Sequence, residues 1–236
     1  MLMTSSVISN FDKVIKRIET VALRSGQDRE SVELIAVTKY ANPEDILLLL
    51  KEGKLTHIGE SRIQDSLTKW NKPEFLPYKQ KVKKRFIGHL QSNKAGRAAE
   101  FFDSIDSVDS QKLALILDKK AGELNKKIPV LVQIKLTQKE TQSGVGLNEA
   151  SALVGAIGNM QNLIPCGYMA IAPIADNPEE IRPLFKRAKT LFDSDFANTH
   201  TDGHKNYLSM GMTNDFEVAI EEGANLVRIG SAIFDT

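Results

Sequence analysis

The amino-acid sequence predicts a single α/β domain folded as a (β/α)8 TIM barrel with an extra helix at its N-terminus. Eight short apolar segments rich in β-branched residues alternate with helical segments along 236 residues, a length typical of one such barrel. No linker, repeat or low-complexity stretch interrupts the alternation, so we expect residues 1–236 to form one domain. The rival fold, a doubly wound open sheet, is disfavoured because no G-x-G-x-x-G turn follows the first strand.

The strands are placed by runs of apolar residues bounded by turn residues. They are predicted at 33–39, 56–60, 85–90, 104–108, 129–136, 166–171, 207–210 and 226–229. The helices between them are predicted at 43–52, 61–70, 93–101, 110–125, 148–158, 178–192 and 214–222. The polar stretch 194–205 predicts a long loop before the seventh strand.

Three helix starts carry recognisable capping residues. Ser9 and Asn10 precede a helical apolar pattern that extends to about residue 25. Asn42 and Asn177 each precede a proline, and a polar cap followed by proline is typical of a first helical turn.

Composition narrows the class of protein. Lys and Arg number 31 against 30 Asp and Glu, a net charge of +1, so a polyanionic partner such as nucleic acid is not expected. Cys166 is the single cysteine, which excludes an internal disulfide and a cysteine-cluster metal site and indicates a reducing compartment. We find no signal peptide and no run of 18 apolar residues, and therefore expect a cytoplasmic protein.

Lys39 stands at the end of the first strand, immediately before a helix. It is either a solvated strand end or a chemically used amine. Strand alternation puts Ile35, Val37 and Lys39 on one face, so the lysine can project along the barrel interior. Partial desolvation there would lower the pKa of the amine, and the neutral amine is the nucleophile for aldehydes.

The seventh and eighth strands both end in small turns that contain glycine and hydroxyl residues, SMGMT at 209–213 and GS at 230–231. They are either two ordinary turns or a phosphate site, which in this fold usually lies after these two strands.

Arg228 lies within the apolar eighth strand and therefore needs an acceptor. That acceptor is either an internal acid, Glu60 or Asp109, or a ligand in the barrel mouth. A lysine, a phosphate site and a buried arginine together describe pyridoxal 5′-phosphate (PLP) held as a Schiff base.

Seven segments carry a family resemblance over nearly the whole chain: AVTK at 36–39, HIGES at 57–61, FIGHLQSNK at 86–94, SIDSVD at 104–109, GYMAIAP at 167–173, LSMGMTND at 208–215 and VRIGSAIF at 227–234. In these segments the chain resembles the pyridoxal phosphate homeostasis proteins (the YggS/PROSC family), which are related to the barrel domain of bacterial alanine racemase. FIGHLQSNK and LSMGMTND are long and specific.

The resemblance implies a role in vitamin B6 homeostasis and a PLP site at the carboxyl ends of the strands. Lys39 would form the Schiff base, and Arg228 would face the pyridine nitrogen. The cofactor-binding residues that it implies are Lys39, Asn93, Met169, Ser209, Gly211, Thr213, Arg228, Gly230 and Ser231, of which Ser209, Thr213 and the turns at Gly211 and 230–231 would hold the phosphate. Two positions depart from the family pattern: Ser61 replaces the usual asparagine, and Gln142 replaces a common lysine.

Two functional classes remain open, a PLP carrier or regulator and a PLP-dependent enzyme resembling an amino-acid racemase. A racemase needs a base on each face of the substrate carbon, and the eight βα units leave no room for the second, β-rich domain that supplies one in related racemases. An arginine beside the pyridine nitrogen also disfavours its protonation and weakens carbanion chemistry. We therefore expect a carrier, monomeric or weakly dimeric, whose partners are PLP and PLP-dependent apo-enzymes.

Overall fold

The strands of the chain close into a parallel barrel. The computed structural model describes residues 6–137, 142–197 and 203–235. Neighbouring strands pair in sequence order, and the last pairs with the first. The strands are β1 (Glu33–Val37), β2 (His57–Glu60), β3 (Lys83–Phe86), β4 (Ser104–Val108), β5 (Ile128–Lys135), β6 (Leu163–Ile171), β7 (Tyr207–Ser209) and β8 (Leu226–Ile229). The predicted (β/α)8 barrel is confirmed.

Helices surround the barrel and connect its strands. They are α1 (Ser6–Arg24), α2 (Pro43–Lys51), α3 (Ile63–Trp70), α4 (Ala95–Phe101), α5 (Gln111–Glu123), α6 (Leu147–Gly158), α7 (Arg182–Phe196), α8 (Phe216–Glu221) and α9 (Ser231–Phe234). Short 3₁₀ turns lie at Leu76–Tyr78, Ser92–Lys94 and Pro178–Ile181. No helix in the described part of the chain is both long and apolar enough to cross a membrane.

The leading helix α1 is amphipathic and packs its apolar face on the barrel. Its buried residues recur at helical spacing: Val7, Phe11, Val14, Ile18, Val21 and Ala22. Its polar face is joined to α8 by ion pairs from Arg17 to Glu217 and from Arg24 to Glu221. Because α1 already begins at Ser6, the predicted caps Ser9 and Asn10 are wrong; both lie inside the helix.

The other two predicted caps are confirmed. Oδ1 of Asn42 accepts from the backbone N–H of Glu44 at 3.1 Å, and Oδ1 of Asn177 accepts from that of Glu179 at 3.1 Å. After Asn177 the chain first makes a 3₁₀ turn, so α7 begins at Arg182 rather than 178. It ends at Phe196, so the predicted loop 194–205 begins too early, and 198–202 lie outside the described residues.

The barrel interior has an apolar part and a polar part. Apolar side chains from five strands form one buried cluster: Ile35, Leu131, Ile164, Cys166, Met169, Tyr207 and Leu226. Within β3 and β4, Arg85 makes a bidentate pair with Asp106 at 2.7 and 3.0 Å, and Ser104 donates to the same carboxylate at 2.6 Å. Burial without such partners would be costly for these charges, so the bidentate pair and Ser104 satisfy one another inside the barrel.

Candidate functional site

A cavity of about 480 Å³, here called the main cavity, opens at the carboxyl ends of the strands. Its polar lining comes from β8 and from the turns after β1, β7 and β8, and includes Lys39, Thr213, Asp215, Arg228 and Ser231. Its apolar lining includes Ile171, Pro173, Ile174, Ala175, Pro178, Ile181 and Phe234. This is the end of the barrel at which TIM-barrel proteins bind ligands.

Lys39 is presented by a turn and not by the strand. β1 ends at Val37, and Lys39 is exposed at the cavity mouth. The predicted strand end and the predicted desolvation of this lysine are therefore wrong. Its Nζ lies 5.2 Å from the centroid of the Tyr40 ring. Among the described residues that line the main cavity, Lys39 is the only lysine.

A buried polar network holds the turn that carries Lys39. Oγ1 of Thr38 donates to Oε1 of Glu60 at 2.8 Å, and Lys69 donates to both the Thr38 carbonyl, at 2.6 Å, and the Glu60 carboxylate, at 2.9 Å. Trp70 also donates to Glu60, at 3.3 Å. Because Thr38 is fixed through both its backbone and its side chain, the residue after it leaves the turn in a defined direction.

Thr213 and Ser231 form a hydroxyl pair on the opposite turns. Oγ of Ser231 donates to Oγ1 of Thr213 at 3.0 Å. Gly230 lets β8 pass close to β1, because a Cβ at this position would lie 3.2 Å from the Val37 carbonyl oxygen. Gly211 has φ +94° and a Cβ there would meet Ala219 at 2.7 Å. Gly211 is thus required by the backbone of its turn, and Gly230 gives a close approach that a side chain would crowd.

Arg228 is buried below the hydroxyl pair. Its Nη1 donates to the carbonyl oxygen of Ser209 at 2.9 Å and to its Oγ at 2.7 Å, while Nη2 donates to the Ala170 carbonyl at 2.7 Å. Burial lowers the pKa of the Arg228 guanidinium to about 10, although attraction to Asp106 and Asp215 raises it. Protein oxygens therefore satisfy part of the guanidinium, and the side chain still lines the main cavity.

The internal acids considered for Arg228 have other partners. Glu60 binds Thr38 and Lys69, as described above, and Oδ2 of Asp109 lies 3.5 Å from Nδ1 of His89. The internal ion pair of Arg228 with Glu60 or Asp109, one of the two interpretations of its burial, is thus replaced by hydrogen bonds to Ser209 and Ala170.

Three of the predicted cofactor-binding residues are placed away from the cavity wall. Ser209 is fully buried, with its hydroxyl on Arg228, and Met169 is fully buried in the barrel interior. Asn93 lines a neighbouring cavity instead. Lys39, Thr213, Arg228, Gly230 and Ser231 do come together around the main cavity, and Gly211 shapes the β7 turn from within the fold.

Asp215 is a site residue that the sequence reasoning did not single out. Its carboxylate accepts from the Met212 backbone N–H and lines the main cavity. Burial raises the pKa of the Asp215 carboxyl from 3.8, against the hydrogen bond from Met212 and the attraction of Arg228. Its position at the end of the motif LSMGMTND was the available signal.

Gln142, one of the departures from the family pattern, ties two loops together. Its Nε2 donates to the Ile171 carbonyl at 2.6 Å and its Oε1 accepts from Oγ1 of Thr137 at 2.9 Å.

Among the described residues, no group of three or more His, Cys, Asp or Glu side chains is placed to hold a metal ion. The main cavity thus brings together the amine of Lys39, the hydroxyl pair, the buried guanidinium of Arg228 and the carboxylates of Asp215 and Asp235.

Comparison with known proteins defines the class first. The profile of the family described as "Alanine racemase, N-terminal domain" matches residues 10–236. The alanine racemase of Clostridium difficile 630 has the same fold, with a TM-score of 0.69 at 15% identity over 95% of this chain and 56% of that chain. The protein is therefore a barrel of the alanine racemase N-terminal type.

Relatives that match nearly the full length of the chain define its family more closely. Proteins named pyridoxal phosphate homeostasis protein are 33% identical in Aquifex aeolicus, over 94% of both chains, and 38% identical in a Synechocystis species, over 86% of this chain and 91% of the relative. PipY of Synechococcus elongatus, solved with PLP bound, has a TM-score of 0.75 at 31% identity, covering 94% of this chain and 99% of that chain. The chain belongs to the family of pyridoxal phosphate homeostasis proteins.

Proposed function

We propose that this protein binds PLP in the main cavity as a Schiff base of Lys39 and acts in PLP homeostasis as a carrier without strong catalytic turnover. The observation that carries this proposal is the placement of Lys39, the hydroxyl pair Thr213 and Ser231, and Arg228 around one cavity. PLP, when bound, supplies an aldehyde that condenses with an amine and a pyridine ring that accepts electrons. The name of the relatives and the PLP in PipY support the same ligand.

The amine and the hydroxyl pair suit the two ends of this ligand. Lys39 stands in the turn after β1, and its side chain is exposed in the cavity rather than buried. Thr213 and Ser231 stand after β7 and β8. The Thr213 hydroxyl can donate to a phosphate oxygen while it accepts from Ser231, and the Ser231 hydroxyl can donate to the phosphate when it rotates away from Thr213. Close approach of backbone is possible at Gly230, where no side chain intervenes.

Arg228 suits the ring nitrogen, and Ser209 and Ala170 hold it in place. A guanidinium has donors and no acceptor, so it can stabilise an unprotonated nitrogen but cannot accept a hydrogen bond from a protonated one. The ring then withdraws electrons weakly, and the residues around it assist carbanion formation little. This favours retention and release of the cofactor over chemistry on an amino acid.

The bases available on the cavity wall also favour a carrier over a racemase. Lys39 and Tyr40 are adjacent in one turn and their side chains are in contact, so they serve the same side of the cavity. The carboxylate of Asp215 is already engaged by the Met212 backbone. Racemisation needs proton transfer on both faces of one carbon.

Chemical trapping tests the proposed covalent link. Reduction of the PLP-loaded protein with borohydride, followed by peptide mass mapping, should place the pyridoxyl group on the peptide that contains Lys39. Labelling of another lysine, or of none, would reject Lys39 as the attachment site.

A further inference from the structure

A second cavity, of about 590 Å³, lies beside the main cavity between the turns after β2 and β3. The motif FIGHLQSNK contributes most of its side chains here: Phe86, His89, Leu90, Asn93 and Lys94 line the second cavity, whereas only Ile87 of the motif lines the main cavity. The PLP site proposed above therefore does not use most of the longest motif in the chain. Ser61 lines both cavities.

The second cavity carries an excess of positive charge. Its charged lining residues are three cations, Arg62, Lys94 and Arg97, and one carboxylate, Asp65, which lies 3.6 Å from Arg62. Arg97 donates to the neutral amide oxygen of Gln64 at 3.3 Å. Within the described residues, Lys94 has no acidic partner. Lys94 and Arg97 are therefore free to bind an anion, and exposed cations of this kind favour a phosphate.

The floor of the second cavity is apolar. Ile63, Phe86 and Leu90 line it, with relative exposures of 6%, 2% and 3%. A floor of this kind favours a ligand with an apolar body, and His89 and Asn93 add neutral hydrogen-bonding groups. The volume lies within the range of about 300–1,000 Å³ that small-molecule sites occupy.

We propose that the second cavity binds a small molecule that carries a phosphate monoester on an aromatic ring. Arg97 and Lys94 would hold the phosphate, and the ring would lie on Phe86 and Leu90. The site is separate from Lys39, so the inference does not depend on the proposed function. The two cavities are adjacent. Cζ of Arg62, in the second cavity, lies 5.6 Å from the ring centroid of Tyr40, and Nζ of Lys39, in the main cavity, lies 5.2 Å from the same centroid.

The test is a calorimetric titration with pyridoxine 5′-phosphate, which has the phosphate and the ring but no aldehyde. The protein is first loaded with PLP and reduced with borohydride, so that the main cavity is filled. Saturable binding of the probe is expected, together with a loss of affinity of about tenfold or more in the double variant Lys94→Ala, Arg97→Ala. Pyridoxine, without the phosphate, should bind far more weakly than the probe.

The matched control is the double variant Lys112→Ala, Arg187→Ala, which removes the same charges from exposed positions on α5 and α7. Its affinity should equal that of the unchanged protein. Equal losses of probe affinity in both double variants, no loss in either of them, or no saturable binding of the probe would overturn the inference. If reduction does not label Lys39, the proposed function fails. The difference in probe affinity between the Lys94→Ala, Arg97→Ala variant and the control variant still tests the second cavity. Should Lys94→Ala, Arg97→Ala not fold, Lys94→Gln alone must show a loss in the same direction.

Discussion

Nη1 of Arg228 donates a 2.7 Å hydrogen bond to Oγ of Ser209, and both side chains are buried, with Arg228 also lining the main cavity. The same serine also supplies its carbonyl oxygen to this nitrogen, at 2.9 Å. A buried guanidinium in an apolar strand requires such acceptors, because desolvated donors without partners are costly. The arrangement makes Ser209 a positioning residue for Arg228.

Ser209→Ala should therefore destabilise the fold measurably. Loss of a hydrogen bond to a charged buried group costs about 1.5–3 kcal/mol, and we expect a decrease of that size in the free energy of unfolding. Ser107 is the matched control, since it is equally buried and its Oγ has no hydrogen-bond partner among the described residues. Urea unfolding of the two variants gives the comparison. Equal losses for Ser209→Ala and Ser107→Ala would contradict the role of the Arg228 bond.

The hydroxyl pair should matter for the phosphate and not for the ring. Removing both hydroxyls in Thr213→Val, Ser231→Ala should weaken PLP binding about 100- to 10,000-fold, because each of the two lost bonds to a charged group contributes about 1.5–3 kcal/mol and each 1.4 kcal/mol is tenfold. Pyridoxal, which has no phosphate, should lose about threefold or less on the same scale. Equilibrium titrations of both ligands measure this. Losses of affinity of the same size for both ligands would show that Thr213 and Ser231 do not bind the phosphate.

The amino-terminal side of the barrel should make stability depend on pH. Burial raises the pKa of the Glu33 carboxyl, but hydrogen bonds from His57, Lys205 and Tyr207 outweigh it, so the pKa lies well below its ordinary value of 4.5. A carboxyl with a depressed pKa stabilises the fold above its unfolded pKa, and this contribution is lost as the pH falls below 4.5 toward the folded pKa.

Glu33→Gln isolates that contribution. At pH 7 the unchanged protein should exceed the variant by about 1–3 kcal/mol in the free energy of unfolding, and the difference should shrink steadily below pH 4.5. Chemical unfolding at several pH values provides the curve. A difference that is constant with pH, or that grows in acid, would show that the Glu33 network is not the source.

A carrier should leave the α-hydrogen of alanine in place. With Arg228 at the ring nitrogen, Lys39 and Tyr40 on one side of the cavity and the Asp215 carboxylate engaged by the Met212 backbone, the PLP-loaded protein should exchange this hydrogen with deuterated water no faster than about tenfold above free PLP. Proton NMR follows the exchange, and free PLP at the same concentration is the control. Exchange many orders of magnitude faster than free PLP would restore the racemase-like alternative.

The barrel was predictable because each element has a local signal. Alternating apolar runs marked every strand to within a few residues, and Asn42 and Asn177 marked helix starts through capping bonds that depend only on neighbouring residues. The start of α1 was misplaced because Ser9 and Asn10 have the chemistry of caps, while the burial of Val7 extends the helix beyond them.

The site was only partly predictable, since side-chain direction depends on contacts between distant segments. Strand alternation carried β1 through Lys39, but the strand ends at Val37, and Thr38 binds the distant residues Glu60 and Lys69, which the local pattern does not show. The partners of Arg228 could not be read from the sequence either, because Ala170 lies 58 positions away and contributes only its backbone.

The visible spectrum of the PLP-loaded protein tests the central claim most directly. A Schiff base on Lys39 should absorb near about 420 nm, the usual range of a protonated PLP imine, and Lys39→Ala should abolish this band. Lys112→Ala, an exposed lysine on α5 outside the main cavity, should leave it unchanged. A band that persists at full strength in Lys39→Ala would contradict the account and move the cofactor to another lysine.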